Sequence, residues 1–287
     1  MMEPLRVGAS EIDITPEPGT HMGGDMCRLR PVERVLDPIY ARALVGESRG
    51  ERICFLSLDL CTPGNAISDK IRGEIADRFG FKLEAVMFHL LQNHSAPSLG
   101  THLLLTPDSP YVSPEFWWVY QGDPEYPSFL IPKLMQIVKE AVARMEPVTM
   151  GCGGMADGRV SFNRRFVMRN GSVQTQATNL TEISHTEGPV DPEVGVACFK
   201  NARGEIIAAF LHHTGHPCSH FGENLVTGSW VGAWARAFKK AAGEQCVPLV
   251  VNGCCGNINV RNNLVPSYRI DDTLIGQWLT DTAWKVV

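Results

Sequence analysis

Two turns that contain histidine are the parts of this sequence best suited to chemistry. The first is Asn93-His94-Ser95-Ala96-Pro97, and the second, over residues 212–217, carries His216. An imidazole can bind a metal ion or transfer a proton near neutral pH. His216 precedes a proline, which holds its backbone extended, and three further histidines lie nearby at positions 212, 213 and 220. This crowding predicts a functional site around His216.

A carboxylate and a glycine-rich turn are expected at the same place. Asp59 follows the apolar run 53–58, His94 follows the run 85–91, and the turn 253–259 follows the run 248–251. Ligands of open α/β sheets collect outside the carboxyl ends of strands. A divalent metal there would lower the pKa of bound water, and the backbone amides of a glycine turn would stabilise an oxyanion. Together these residues have the composition of a hydrolytic site.

Each of these residues also has a structural interpretation. His94 could cap a loop through hydrogen bonds to the backbone. Asp59 could cap the turn after its strand, and the segment 253–259 could be only a tight connection. His89 lies inside an apolar run, so it is predicted to be a hydrogen-bonded core histidine.

Aromatic and basic residues elsewhere could contact a substrate. Trp117 and Trp118 lie in the segment 99–128, which is long, contains prolines and lacks clear periodicity. Such segments usually form lids or binding loops, although aromatic clusters pack cores more often than they bind ligands. Arg164, in Asn163-Arg164-Arg165, either belongs to a solvated face or enters the site.

The elements that must position these residues alternate between strands and helices. Apolar runs predict hairpins over 41–58 and 194–211, helices over 67–79, 130–144 and 230–242, and buried strands over 85–91 and 248–251. This pattern predicts an α/β fold with mixed sheets flanked by helices. Each half runs hairpin, helix, strand and polar turn, which indicates two repeated lobes, 1–156 and 157–287, with a seam at 157–170.

Size and composition limit the classes of function. The chain has 287 residues, of which 44% are hydrophobic and 20% charged, and a formal net charge of −5. These values are typical of a globular protein, and the absence of a basic stripe argues against a nucleic-acid partner. No apolar stretch approaches the roughly 20 residues that a membrane-spanning helix needs. The N-terminus shows no secretory signal and the cysteines, nine in number, show no paired spacing, so we expect a reducing, cytoplasmic location.

Taken in order, several segments resemble the N-terminal catalytic domain of the neutral/alkaline non-lysosomal ceramidases and their bacterial relatives. The resemblance covers nearly the whole chain and implies a single catalytic domain over 1–287. The matching segments are Val7-Gly8-Ala9, 13–16, the hairpin 42–59, 93–97, Asn163-Arg164-Arg165, 188–196, His216-Pro217 and 253–259.

The resemblance implies an amide hydrolase whose single zinc ion activates water to cleave the N-acyl bond of ceramide. The zinc-binding turn of that family has the form His-x-His-Ser-Gly-Pro, and its first histidine is a ligand. Gln92 stands at that first position here, His94 matches the second histidine, and His216 matches a second ligand. The family's remaining ligands, a glutamate and a tyrosine, come from a C-terminal part beyond residue 287. Its Gly-Asp-Val-Ser-Pro turn appears here with Asn257 and Asn259 in place of aspartate and serine.

Three hypotheses follow from these observations. In the first, the chain is a metal-dependent hydrolase of an amide or glycan-like substrate, with zinc or another divalent metal at the site. In the second it is a silent ligand-binding homologue, and in the third a fragment whose activity needs the missing part. The partner is a small-molecule, lipid or glycan substrate in each case, and the oligomeric state is not indicated. The candidate residues are His94, Asp59, Asn257 and Asn259 for catalysis, His216 and the weak ligand Gln92 for metal, and His213, Arg164, Trp117 and Trp118 for substrate.

Overall fold

A computed structural model describes residues 4–23, 30–100, 118 and 122–287. The helices are α1 (Asn65–Phe79), α2 (Tyr126–Ala143), α3 (Ser229–Ala242) and α4 (Asp272–Ala283). The strands are β1 (Arg6–Asp13), β2 (Arg34–Val35), β3 (Tyr40–Ser48), β4 (Glu51–Leu58), β5 (Val86–Leu90), β6 (Glu146–Pro147), β7 (Thr149–Ala156), β8 (Phe162–Asn163), β9 (Arg165–Met168), β10 (Val173–Thr175), β11 (Ile183–Thr186), β12 (Glu193–Lys200), β13 (Ile206–His213), β14 (Leu225–Val226), β15 (Val247–Asn252) and β16 (Ile258–Asn259).

Two larger sheets carry the candidate site. The first has the order β5-β4-β3-β1-β6, and the second has the order β15-β13-β12-β7. In the first, β1, β3 and β4 are antiparallel and β5 joins β4 in parallel. In the second, β7, β12 and β13 are antiparallel and β15 joins β13 in parallel. The two halves of the chain therefore repeat one strand pattern.

Apolar side chains hold the two sheets face to face, with helices on the outer sides. The alternation of β1 explains this packing, since Val7 and Ala9 join the layer between the sheets while Gly8 faces α2. A Cβ atom at Gly8 would lie 2.1 Å from the carbonyl oxygen of Ala141, so only glycine allows this approach. The first core lies between the first sheet and helices α1 and α2. The second lies between the second sheet and helices α3 and α4.

Smaller sheets complete the described structure. They have the orders β10-β9-β11, β14-β2 and β16-β8. The pair β16-β8 joins Ile258 to Asn163 and Asn259 to Phe162, so it brings the glycine-rich turn beside the segment that carries Arg164. Across the described ranges, no helix is long and apolar enough to cross a membrane.

The α/β class with mixed sheets, predicted from the sequence, is confirmed. Both hairpins and the three predicted helices form close to their predicted positions, with α1 and α2 starting a few residues earlier than expected. Strand β7 was not predicted. It pairs with β12 in the second sheet, so the chain passes between the sheets at Val148, ahead of the seam predicted at 157–170.

Candidate active site

The two histidine turns meet at one point. His94 follows β5 in the first sheet, and His216 follows β13 in the second. Their Nε2 atoms lie 2.8 Å apart, and their rings stack with centroids 4.8 Å apart. The backbone N–H of His94 also donates to the carbonyl of Pro217 at 2.9 Å, so the two turns are tied together by main chain as well as by side chains.

The hydrogen bonds of His216 define where its proton lies. Its Nδ1 lies 3.1 Å from the carbonyl oxygen of Cys255, and a carbonyl can only accept, so Nδ1 carries the hydrogen. Nε2 of His216 therefore presents a lone pair, and Nε2 of His94 must be the donor in the pair they share. The side chain is nearly enclosed, and burial together with His94 lowers the pKa of His216 to about 4. His216 is thus a neutral base at pH 7, which is the form that binds metal.

Gln92 lies beside this pair but is engaged with another residue. Its Oε1 accepts a hydrogen bond from the thiol of Cys255 at 3.2 Å. The thiol in turn accepts from Nδ2 of Asn252 at 3.5 Å. Cys255 therefore joins the site twice, since its carbonyl fixes His216 and its thiol contacts Gln92.

A buried asparagine shapes the first turn. Asn93 donates from Nδ2 to the carbonyl oxygens of Thr227 at 2.7 Å and Asp59 at 3.2 Å, and its Oδ1 accepts from the backbone of Ser95 at 3.0 Å. The last bond closes an Asx turn, in which the side chain substitutes for a backbone turn. An asparagine at the start of a turn was the sequence signal for this role, and the sequence interpretation overlooked it.

The carboxylate of Asp59 is directed away from the two imidazoles. Asp59 is fully buried, and its Oδ1 accepts from Nη1 of Arg42 at 2.8 Å. Its Oδ2 accepts from the backbone N–H of Tyr40 at 2.9 Å. The backbone carbonyl of Asp59 accepts a hydrogen bond from the side chain of Asn93. Asp59 therefore stabilises the turn of His94 without its carboxylate contacting the imidazoles.

The glycine-rich turn packs directly on His216. The backbone N–H of His216 donates to the carbonyl of Ile258 at 3.0 Å, and Asn259 pairs with His216 in a parallel bridge. The side chain of Asn259 is buried and accepts from the thiol of Cys218 at 3.3 Å. Two amides of the turn are used internally, because Gly253 donates to the carbonyl of His213 and Ile258 to that of Cys255.

Arg164 lies against the same turn. Its backbone N–H donates to the carbonyl of Asn257 at 2.8 Å, and its Nε and Nη2 donate to the carbonyl of Gly256 at 3.1 and 2.7 Å. The positive charge of Arg164 contributes to the lowered pKa of His216. The structure thus brings Arg164 and Asn257 to the site through backbone contacts.

Two of the predicted substrate-binding residues are enclosed by protein. His213 is fully buried, and its ring nitrogens lie 2.8 Å from the carbonyl of Glu193 and 2.8 Å from Oγ of Ser161. Trp118 is 8% exposed and stacks on His21 with centroids 4.4 Å apart. Trp117 lies outside the described residues.

The donors of the site decide how well a metal would fit. His216 offers an unprotonated Nε2 whose orientation is fixed by a carbonyl, as metal-binding histidines usually are. His94 offers a second imidazole nitrogen at 2.8 Å. In the part of the chain that the structure describes, no group of three or more His, Cys, Asp or Glu side chains could hold a metal ion. The described residues therefore bring two imidazoles together and do not form a complete metal site.

Comparison with known proteins places this arrangement in a known architecture. No protein-family model and no curated protein matches the sequence. Among solved structures, neutral ceramidase from Pseudomonas aeruginosa matches with a TM-score of 0.75 and 20% identity, over 99% of this chain and 44% of that chain. This chain has the neutral ceramidase fold. A structure described as ceramidase complexed with C2 matches with a TM-score of 0.76 and 19% identity, over 99% of this chain and 44% of that chain.

The ceramidase resemblance expected from the sequence motifs is thus confirmed for the fold. This chain spans less than half the length of the ceramidase chains that it matches. The activity and the substrate of the whole ceramidase are therefore assigned to this chain only as a proposal. The catalytic, metal-binding and substrate-binding roles assigned to individual residues stay predictions.

Proposed function

We propose that this chain is a metal-dependent amide hydrolase that cleaves the N-acyl bond of a lipid substrate. The observation that carries this proposal is the meeting of two imidazole Nε2 atoms at 2.8 Å in a chain with the neutral ceramidase fold. An amide bond is stable in water, so its cleavage needs an activated nucleophile and a partner for the developing negative charge. The histidine turns and the basic side chain beside them offer groups for both tasks.

His216 is the residue best placed to hold zinc. Its Nε2 carries the lone pair because Nδ1 is bonded to the carbonyl of Cys255 at 3.1 Å, and its lowered pKa keeps it neutral. Zinc bound there would supply an activated water and polarise the acyl carbonyl. The carbonyl of Cys255 would hold the ring of His216 in its orientation.

Arg164 gives the site a positive charge. Its guanidinium is held on the carbonyl of Gly256 by two hydrogen bonds of 3.1 and 2.7 Å. A cation fixed in this way would stabilise the charge that develops on the acyl oxygen without having to reorganise. Asn257, whose carbonyl accepts the backbone N–H of Arg164, would keep this segment in register with the glycine-rich turn.

The test is a panel of N-acyl amides that includes ceramide, assayed with chelator and with added zinc. We expect zinc-dependent hydrolysis, and we expect His216→Ala to lower kcat/KM by at least about a hundredfold, the scale on which such groups act. His185→Ala, at an exposed position on β11, is the matched control and should leave the rate unchanged. Hydrolysis that persists in chelator, or that survives His216→Ala, would overturn the metal-dependent mechanism.

A second candidate is a ligand-binding protein without catalysis. It is favoured by Gln92, since an amide oxygen is a much weaker zinc ligand than an imidazole and this one is occupied by the thiol of Cys255. Binding of a fluorescent N-acyl lipid without any turnover, with or without zinc, would favour this candidate. Turnover of the same lipid would exclude it.

A further inference from the structure

Three segments meet at the candidate site, and one buried side chain contacts all of them. It belongs to Asn252, the last residue of β15. Its Oδ1 accepts from the backbone N–H of Gly215, the residue before His216, at 3.2 Å. Its Nδ2 donates to the carbonyl of Leu91 at 3.0 Å and to the thiol of Cys255 at 3.5 Å. Asn252 therefore uses its acceptor and both of its donors on residues of the candidate site.

Two backbone contacts fix the direction in which the amide of Asn252 faces. An N–H can only donate and a carbonyl can only accept, so Oδ1 must face Gly215 and Nδ2 must face Leu91. A flipped amide would set two donors against each other at Gly215 and two acceptors at Leu91. The backbone of Asn252 is held as well, because its N–H donates to Nε2 of His89 at 3.2 Å. The side chain is thus a fixed link between the second histidine turn and the segment that enters the first.

This link acts on His216 from two sides. On the backbone side it holds the N–H of Gly215, which determines where the Cα atom of His216 lies. On the ring side it holds the thiol of Cys255, whose carbonyl oxygen lies 3.1 Å from Nδ1 of His216. The two segments are in close contact, since a Cβ atom at Gly253 would lie 2.1 Å from Oγ1 of Thr214. Loss of the link would therefore change the length and angle of the hydrogen bond that keeps the ring hydrogen on Nδ1.

We propose that Asn252 is a positioning residue that holds the ring of His216 in the tautomer with its hydrogen on Nδ1 and its lone pair on Nε2. This inference deepens the proposed function and rests on it for the role of His216. The tautomer of a histidine is set by the hydrogen bond that its other nitrogen makes, and Asn252 acts on that bond through Cys255. An aspartate at position 252 would set an oxygen against the carbonyl of Leu91, so the role needs the amide.

The experiment is NMR of the whole chain labelled on its histidine nitrogens, at pH 7 and in chelator so that no metal ion contributes. In the wild type, Nδ1 of His216 should give the signal of a protonated nitrogen and Nε2 that of an unprotonated one. In Asn252→Ala the two signals should move towards each other, because the ratio of the tautomers falls by about two- to tenfold, the scale of one hydrogen bond. The matched control is Asn201→Ala, a buried asparagine in the turn between β12 and β13 that bonds to Glu205. It should leave both signals of His216 unchanged.

Unchanged signals of His216 in a folded Asn252→Ala chain would overturn the inference, and so would an equal change in the control. If Asn252→Ala does not fold, hydrogen exchange of the wild-type chain supplies the test. The N–H of Gly215 and the Nδ1–H of His216 should be protected to the same extent, within about tenfold, because one local opening releases both. A larger difference in protection would contradict the inference.

Neither measurement depends on amide turnover. A wild-type chain that shows the expected tautomer and its loss in Asn252→Ala, but hydrolyses no amide, would contradict the proposed function alone. Hydrolysis by a chain in which Asn252→Ala leaves the tautomer of His216 unchanged would contradict this inference alone.

Discussion

In the first half of the molecule the hairpin strand β4 leads to Asp59, and in the second half the equivalent strand β13 leads to His216. Asp59 is the first residue after its strand and His216 is the third after its own, and the two side chains have opposite chemistry. Asp59 is closed off by Arg42 at 2.8 Å, whereas His216 presents an unprotonated nitrogen to its neighbour across the site. Asp59 therefore has a structural role, and His216 offers the reactive nitrogen.

The parallel strands show a closer correspondence. Strand β5 is followed by the turn of His94, and β15 is followed by the glycine-rich turn. Each has a buried asparagine that ties the halves together. Asn93 bonds the carbonyls of Asp59 and Thr227, and Asn252 bonds the carbonyl of Leu91 at 3.0 Å and the N–H of Gly215 at 3.2 Å. Asparagine side chains thus join the halves at the ends of both corresponding parallel strands, whereas His94 and His216 follow strands that do not correspond.

Removing the charge partner of Asp59 should have the largest effect on stability. Arg42→Met leaves a fully buried carboxylate uncompensated, and we expect the free energy of unfolding to fall by about 3–5 kcal/mol. The double variant Arg42→Met/Asp59→Leu should recover much of this loss, since it removes both charges. Urea unfolding measures both. The matched control is Arg203→Met, which breaks an exposed pair with Glu205 and should change stability little. If Arg42→Met lowered the free energy of unfolding as little as the control does, the Arg42–Asp59 ion pair would not be a major source of stability.

A second buried carboxylate, in the other half, should respond to pH. Burial acts to raise the pKa of Asp157, but hydrogen bonds from Arg159 and Thr282 outweigh it and lower the pKa to about 2. A lowered carboxyl pKa stabilises the folded state above the unfolded pKa of about 3.8, and this stability is lost as pH falls from about 4 to 2. Asp157→Asn should cost about 2 kcal/mol at pH 7.

The measurement is the free energy of unfolding at pH 7 and at pH 3 for wild type and Asp157→Asn. The difference between the two proteins should shrink at pH 3, because the wild-type carboxylate is then losing its advantage. Asp77→Asn, at an exposed position on α1, is the control for a change of net charge. An equal difference at both pH values would mean that Asp157 acts through packing alone.

The smallest effect is expected from the asparagine braces. Asn93→Ala and Asn252→Ala each leave a buried carbonyl without its donor, which costs about 1–3 kcal/mol. We expect the two losses to agree within about 1 kcal/mol, because both side chains bridge the halves through two or more hydrogen bonds. Thermal and urea unfolding give the values. If one of the two variants leaves the free energy of unfolding unchanged, Asn93 and Asn252 do not have corresponding roles at the ends of β5 and β15.

The sequence was sufficient for the elements whose periodicity is strong. Helix α3 and the two hairpins were predictable because their apolar residues recur at regular spacing. Strand β7 was not, because its sequence, TMGCGGMA, is rich in glycine and every residue in it is exposed. Its pairing with β12 decides that it is a strand, and pairing between distant segments leaves no local pattern.

The site was predictable only in outline. The two histidine turns could be found from residue types, and the carboxyl-end rule correctly brought them to the same edge. The partner of Asp59 could not be predicted from residue types. Arg42 lies on β3, and only the register of β3 and β4 brings it next to Asp59. The same holds for Cys255, whose carbonyl and thiol reach residues 39 and 163 positions away along the chain.

The backbone of Gln92 has a consequence for how easily this site can change in evolution. Its φ of 62° lies in the left-handed region, where histidine is among the better tolerated residues. The turn itself is held by Asn93, so its course does not depend on the side chain at position 92. Glutamine and histidine codons differ only at the third base. A single nucleotide change in the gene would therefore place a second imidazole in this turn. An imidazole at position 92 can thus be gained or lost without a change in the backbone of the turn.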